Sequence, residues 1–198
     1  MDRIAWINLG SLILASLLFL YYYMRSVSPA TLEKIIGPEA YARCGRDRII
    51  ASVFEMVIGI NYVIYFFHPL LVPLPDKFPW SWWISALIAL TIAIPAMTLM
   101  VAGLKDAGEE ALRPKKEHKM YGGIYARIRH PQAAGEVFLW WVFAFLLNSP
   151  FLVLFSFIYL PIFIMLCFAE EQDLLWRYGD AYAEYCKRTG AFWPKRKS

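Results

Sequence analysis

Residues 129–171 read RHPQAAGEVFLWWVFAFLLNSPFLVLFSFIYLPIFIMLCFAEE, and this stretch decides the fold. Between Pro131 and Glu170 lie 38 almost entirely apolar residues, interrupted near the middle by the turn signal Asn148-Ser149-Pro150. Each arm is apolar enough to sit in hydrocarbon, and two arms joined by a short turn must run antiparallel. The two charged ends, Arg129-His130 and Glu170-Glu171, are then neighbours at one mouth of a membrane hairpin. Ionisable groups are costly in a bilayer, so opposite charges gathered at one mouth imply a polar site at the membrane surface.

The rest of the chain agrees. Hydrophobic residues make up 59% and charged residues 18%, below the ~25% charge of soluble domains. The 8 Trp, 12 Tyr and 14 Phe suit aromatic belts at two membrane interfaces. A membrane helix needs ~20 mainly apolar residues. Segments 4–24, 49–67, 80–103, 133–147 and 151–169 supply five candidates, with kinks expected at Pro95 and Pro161. At 198 residues the chain is read as one domain, residues 1–198, with a cofactor-binding part over about 104–198. The first apolar run lacks the basic leader and small-residue cleavage site of a secretory signal.

Lys and Arg set the orientation. The loop 25–48 carries five, the loop 68–79 only Lys77, the loop 104–131 seven, the hairpin turn none and the tail after Glu171 six. The positive-inside rule places the N-terminus outside and the C-terminus in the cytoplasm, with both charged motifs on the cytoplasmic side. The tail 171–187 repeats Leu174, Leu175, Tyr178, Tyr182 and Tyr185 at spacings of three and four, which predicts an amphipathic helix. The fold class is therefore all-α: a membrane bundle of five transmembrane helices, spans four and five forming a hairpin, with a C-terminal amphipathic helix.

Several residues of the mouth invite chemistry. Proline suits the first turn of a helix, so His130 could simply cap the fourth span, and Glu170-Glu171 could be an interfacial pair ending the fifth. Set side by side, cations and carboxylates could instead clasp a zwitterion. Aromatic faces would favour a sulfonium centre; Tyr125, Trp140 and Trp176 are the candidates. Glu136 needs a partner inside an apolar span, and Arg129 or His130 is within reach. Glu55 and Asn61 could line a cavity or be paired bundle residues. Gly122-Gly123 permits close backbone approach. The three scattered cysteines, Cys44, Cys167 and Cys186, read as structural thiols, and no metal-ligand spacing occurs. No GxGxxG after a strand, no Walker motif, no GxSxG and no HExxH is present, which disfavours soluble nucleotide-binding and hydrolase folds.

The motifs Tyr121-Gly122-Gly123-Ile124-Tyr125, Arg129-His130-Pro131, Asn148-Ser149-Pro150, Glu170-Glu171 and Tyr178-Gly179-Asp180-Ala181-Tyr182 together resemble the C-terminal half of the isoprenylcysteine carboxyl methyltransferases, over roughly residues 117 to 194. The five-span plan is similar to a prokaryotic or archaeal member. The resemblance implies S-adenosylmethionine as methyl donor, bound by Lys119, Met120, Tyr125, His130, Pro131, Gln132, Ala133 and Glu170. It implies a lipophilic acceptor, a small molecule or a lipidated protein of the prenylcysteine type, methylated on its carboxylate. The chain departs from the pattern twice: Ala133 stands where an aromatic residue is common, and Leu166 where an arginine associated with the acceptor carboxylate is common. Arg129 or Arg127 would then have to hold the acceptor carboxylate, and Arg129 and Glu171 are the candidate catalytic residues. Phospholipid methyltransferases and NADPH-dependent sterol-type reductases share a related architecture and supply the alternatives; a non-catalytic lipid-binding scaffold is a third. Nucleic acid and metal are not expected. A carboxylate is already ionised at pH 7, so such an enzyme needs mainly to align two reactants, for which ~7–11 kcal/mol is available.

Overall fold

The structure, a computed structural model, describes residues 2–116 and 122–195. Among these the regular elements are helical: α1 (Arg3–Ser26), α2 (Pro29–Ile36), α3 (Glu39–Phe67), α4 (Trp82–Ala107), α5 (Pro131–Leu146), α6 (Pro150–Phe155), α7 (Tyr159–Tyr178) and α8 (Asp180–Arg188). Four helices are long and apolar enough to cross a membrane: Arg3–Ser26, Glu39–Phe67, Trp82–Ala111 and Pro150–Tyr178. The fifth expected span, α5, has 16 residues. That is about 24 Å of rise, short of the ~30 Å hydrocarbon core.

α5 nevertheless runs antiparallel along α4 for most of the length of both. At one end a Cβ on Gly103 would meet the Gln132 side chain at 2.7 Å. At the other, Trp82 Nε1 donates to the Leu146 carbonyl at 2.9 Å. Glycine makes this approach possible: a Cβ on Gly135 would collide with the Ala96 carbonyl oxygen and lie 2.7 Å from Met100 N. Small residues at helix crossings are how membrane helices gain dispersion contact without a hydrophobic drive between them. Beyond α5, Asn148 takes a positive φ of 54°, and its side-chain carbonyl accepts from Ser85 Oγ at 2.5 Å. The turn is thus pinned to the start of α4.

The second hairpin arm is interrupted where proline predicts. The pyrrolidine of Pro161 would clash with the carbonyl four residues earlier, and the 3₁₀ turn Ser156–Ile158 precedes α7. Pro95, by contrast, stands within the continuous α4. Polar side chains stitch the bundle: Ser16 Oγ with Tyr159 Oη at 3.0 Å, Tyr62 Oη with Ser156 Oγ at 3.0 Å, and Asn8 Nδ2 donating to the backbone carbonyl of Asn61 at 3.0 Å. The Asn61 side chain, 3% exposed, donates to the Val57 carbonyl of its own helix at 2.7 Å and so serves the bundle. Around these lie Leu12, Phe19, Ile58, Leu152 and Phe163, all buried.

Two segments differ from the sequence reading. The loop expected at 25–48 is largely helical. α3 begins at Glu39, ten residues before the apolar run, because no proline separates its basic first turns from the span and the helix runs on through Gly45. Asp173 of α7 caps the start of α2, accepting from Ala30 N at 3.0 Å and Thr31 N at 2.7 Å. The tail does not start a new helix at Glu171 either. α7 continues without a break to Tyr178 and stops at Gly179, whose φ is +55°; α8 is a separate helix of 9 residues.

The glycine contact gives a direct test. Gly135→Ala forces the α4–α5 pair apart, and overpacking of this kind costs ~1–3 kcal/mol. The melting temperature in detergent is expected to fall clearly. Gly10→Ala, with nothing within 4 Å of its Cβ position, is expected to leave it within a degree or two.

Candidate active site

One end of the bundle holds an open cleft between α3, α5, α7, α8 and the connections on either side of them. Its cavity of about 90 Å³ widens into about 820 Å³ of empty space when the mouth is counted. Tyr125, Arg129, His130, Gln132, Ala133 and Glu170 all line it. The structure therefore brings together six of the residues singled out from the sequence. Pro131 opens α5 directly beneath them and is fully buried. Lys119 and Met120 lie outside the described residues, as does Tyr121.

The electrostatic centre is His130. Its Nε2 lies 2.8 Å from Glu171 Oε1 and its Nδ1 3.4 Å from Glu170 Oε2. Burial alone would push its pKa down, but hydrogen bonds with Cys167, Glu170 and Glu171 outweigh that and hold it well above the ordinary histidine value. Nε2 hydrogen-bonds Glu171, Nδ1 faces Glu170 as an ion-pair contact, and the side chain is only 4% exposed. The two glutamates are not equivalent. Glu171, 15% exposed, is turned away from the cleft and accepts from Arg129 Nε at 2.7 Å. Glu170 keeps 40% of its side-chain surface accessible and faces the cleft.

Arg129 is committed elsewhere. Beyond Glu171, its Nη1 donates to the carbonyls of Thr189 and Cys186. The backbone follows: Arg129 N donates to Gly190 O at 2.9 Å and His130 N to Ala191 O at 3.0 Å, around a parallel bridge between Ile128 and Gly190. Arg129 and Glu171 thus clamp the C-terminal segment onto the hairpin mouth.

The Gly122-Gly123 pair also finds its reason. Gly123 has a φ of +59°, and any Cβ there would strike the Asp106 carboxylate, which accepts from Ile124 N at 2.7 Å. The glycine admits Asp106 rather than a ligand. The resulting turn presents Tyr125 to the cleft, held by a 2.7 Å hydrogen bond from Tyr185 Oη to its carbonyl. Burial pushes the phenols of Tyr125, Tyr182 and Tyr185 up, so all three are neutral.

Three expectations from the sequence are corrected. Trp140 stacks on Tyr159 in the core with centroids 4.8 Å apart. Trp176 lies on the surface under Lys34 Nζ, 3.5 Å from its ring centre; neither wall of the cleft is a tryptophan. Glu136 does not reach Arg129 or His130. It lines a separate cavity together with Glu55 of α3, while His130, before the helix, turns toward α7.

Sequence reasoning missed Arg48, Glu110 and Arg177, and gave Tyr23, Tyr178, Tyr182 and Tyr185 no place at a site. Arg177 Nη1 pairs with Glu110 Oε1 at 2.9 Å. Arg48, 8% exposed, donates to the carbonyls of Glu110 at 3.1 Å and Ala111 at 3.0 Å and to Ser26. No carboxylate among the described residues pairs with it. The amide nitrogen of Gln132 is buried without a partner among the described residues. The cleft therefore offers an unneutralised guanidinium, a spare amide donor, an accessible carboxylate and several tyrosine faces. This is a donor and acceptor set for a zwitterion with an adjoining apolar or cationic part.

Residues 84–181 match the family model for phospholipid methyltransferases. The searches of curated proteins and of solved structures gave no match.

The two glutamates can be separated experimentally. Glu171→Gln unties a nearly buried charge pair, a change that typically costs ~3–5 kcal/mol, so thermal stability in detergent is expected to drop. Glu170→Gln is expected to leave the melting temperature nearly unchanged and to weaken S-adenosylhomocysteine binding more than about tenfold, the scale of a desolvated polar contact. Titration calorimetry reads the second effect and a melting curve the first.

His130 adds a pH test. Its folded pKa is raised, so its contribution to stability is complete below the unfolded value of ~6.5 and is lost as pH rises through the folded one. From about neutral pH upward the wild-type melting temperature is expected to fall more steeply than that of His130→Gln.

Residues 84–181 carry α4 through α7 and with them most of the cleft, and over this stretch the chain is similar to the phospholipid methyltransferases, a likeness that supports a membrane methyltransferase, for which S-adenosylmethionine is the general donor.

Proposed function

We propose that this protein transfers a methyl group from S-adenosylmethionine to a lipophilic acceptor at the cytoplasmic face of a membrane. The observation that carries the reading is the cleft itself: a buried imidazolium braced by Glu170 and Glu171 beside Arg48, Gln132 and a set of tyrosines. In this reading Arg48 and the Gln132 amide hold the donor's carboxylate, and Glu170 holds its ammonium. Tyr125 and its tyrosine neighbours face the positive sulfur. When bound, the donor supplies a methyl group activated as a sulfonium.

The protein's own task is alignment and exclusion of water. His130, with Nδ1 3.4 Å from Glu170 Oε2, keeps that carboxylate in place by charge attraction. Arg129 and Glu171 act behind it as positioning residues by holding the C-terminal segment over the mouth. Five membrane crossings belong to the proposal, α5 crossing as the partner of α4 despite its shorter length. The orientation, with the N-terminus outside, rests on the Lys and Arg alternation.

For the acceptor, the family likeness favours the head group of a membrane phospholipid. A second reading, a prenylcysteine-like carboxylate, is favoured by the motif pattern of residues 117–194. Leu166, 3% exposed and packed in the core, offers no cation to such a carboxylate.

Purified protein in nanodiscs with labelled donor separates the readings. Phosphatidylethanolamine is expected to yield a base-stable N-methyl lipid. N-acetyl-S-farnesylcysteine would instead yield a base-labile ester. Binding of NADPH without binding of S-adenosylhomocysteine would replace both with a reductase.

A further inference from the structure

Residues 189–195 turn back over the hairpin mouth as a strap. Arg129 N and His130 N donate to the carbonyls of Gly190 and Ala191 at 2.9 and 3.0 Å, around the Ile128–Gly190 bridge. This sets the strap level with the first turn of α5, where the apolar part of the hairpin begins. Gly190 makes the turn that follows: a Cβ there would strike the Trp193 carbonyl oxygen. Lys195 Nζ then reaches back to α8 and donates to the carbonyls of Cys186 at 2.8 Å and Lys187 at 3.0 Å. Phe192 lies against His130 with ring centroids 5.8 Å apart. Trp193, the next residue, is 77% exposed. A strap tied at both ends thus presents a bare indole beside the membrane-embedded helices.

Two cations flank the strap, and neither is neutralised. Arg127 stands one residue before the bridge on the mouth side, and Arg188 two residues before it on the α8 side. Both are exposed, and no carboxylate among the described residues pairs with either. The nearby carboxylates are engaged: Glu171 with Arg129 at 2.7 Å and Glu184 with Lys187 at 2.6 Å. Asp180 stands at the far end of α8. Arg127, which the sequence offered for an acceptor carboxylate, does not line the cleft, and nor does Arg188. Outside the cleft the mouth therefore carries two unmatched guanidinium groups and an exposed indole. Indole rings favour the membrane–water interface. Guanidinium groups match phosphate geometry, and basic groups at a membrane surface are drawn to anionic lipid.

We infer that the strap and the hairpin mouth together form a docking surface for the phosphate-bearing headgroup of an anionic membrane lipid, with Trp193 in the interface and Arg127 and Arg188 holding the charge. The surface is composite. Arg127 and Arg188 are about sixty positions apart in the chain, and the Ile128–Gly190 bridge is what brings their segments together. A headgroup that meets both arginines binds the docked strap more tightly than a displaced one, and by linkage it stabilises docking. The strap in turn bears on the cleft. α8, which leads into it, supplies Tyr182 and Tyr185 to the cleft wall, and Tyr185 Oη donates to the Tyr125 carbonyl at 2.7 Å. Anionic lipid then tightens binding in the cleft without entering it. The coupling rests on the methyltransferase reading; the lipid contact does not.

The experiment uses the full-length protein in bilayers. In vesicles, spin-labelled phosphatidylglycerol and phosphatidylcholine report which lipid is immobilised at the protein surface. The wild type is expected to favour phosphatidylglycerol by at least about threefold, within the scale of one or two cations at a membrane surface. Raised salt should shrink the preference. Arg127→Gln combined with Arg188→Gln should erase most of it, and Trp193→Ala part of it. Arg46→Gln combined with Arg113→Gln removes the same charge elsewhere and should leave it. All of these residues are exposed, so melting temperatures should stay close to wild type. In nanodiscs, phosphatidylglycerol is expected to tighten S-adenosylhomocysteine binding by at least about threefold, as linkage requires. The Arg127 and Arg188 double variant should lose that gain and match the wild type in phosphatidylcholine alone. A lipid preference that survives the Arg127 and Arg188 substitutions overturns the inference, as does one lost equally on substituting Arg46 and Arg113. If inorganic phosphate in phosphatidylcholine nanodiscs reproduces the gain, the surface holds a free anion and the lipid assignment falls. An arginine-dependent preference with no gain in affinity upholds the surface and overturns the coupling. The same preference in a protein that binds no S-adenosylhomocysteine upholds the surface and overturns the methyltransferase reading instead.

Discussion

One carboxylate oxygen, Glu171 Oε1, accepts hydrogen bonds from both Arg129 and His130, and three parts of the chain depend on it. It joins the end of α7 to the approach of α5, which closes the hairpin mouth. Through Arg129 it also holds the carbonyls of Thr189 and Cys186, which brings the last turn of the chain over the cleft. The three side chains are 4–15% exposed, so none of the charges is stabilised chiefly by water. A buried ion pair contributes little net stability against an apolar replacement, but loss of one partner strands the other. The cluster therefore specifies which segments meet more than it adds to the total stability. Glu170, one residue earlier, is left accessible because Glu171 makes the structural contacts.

A similar division runs through the whole molecule. Close helix approach and paired polar groups build the scaffold, and the few polar groups left unmatched mark places for ligands. Ser16, Tyr62, Ser85 and Asn148 are all satisfied within the bundle. Arg48 and the Gln132 amide are not balanced in the same way, and both line the cleft. In a chain so apolar, an unmatched charge or donor is an expensive exception. Its placement beside a cavity is informative for that reason.

Much of this was legible in the sequence. The hairpin followed from two apolar arms, an Asn-Ser-Pro turn and charged ends, and with it the meeting of His130 with Glu170 and Glu171. Membrane helices near 4–24, 49–67 and 80–103 were read from length and apolarity alone. What stayed hidden was lateral contact. Hydropathy ends the second span at Ile49, so the helical run from Glu39 read as loop and Arg48 counted only toward charge bias. Periodicity within one helix could not say that Glu136 faces α3 rather than the mouth, nor that Arg129 would be spent on tail carbonyls. The tyrosines of the tail showed their spacing but not their target. The shortness of α5 was visible as a count. Its effect, a glycine-lined contact with α4, was not.

The parallel bridge between Ile128 and Gly190 has a consequence for biosynthesis. The hairpin mouth and its partner segment are separated by about sixty positions along the chain, with two membrane-embedded arms inserted between them. While α5 to α7 enter the bilayer, residues 189–191 are still unmade or inside the ribosome. Arg129 and the backbone of His130 therefore wait without their final acceptors until residues 186–191 have emerged. The scaffold can form during insertion, whereas the cleft is completed only once residues 189–191 reach the hairpin mouth, so a nascent protein passes through a stage that is embedded but not yet able to hold a ligand.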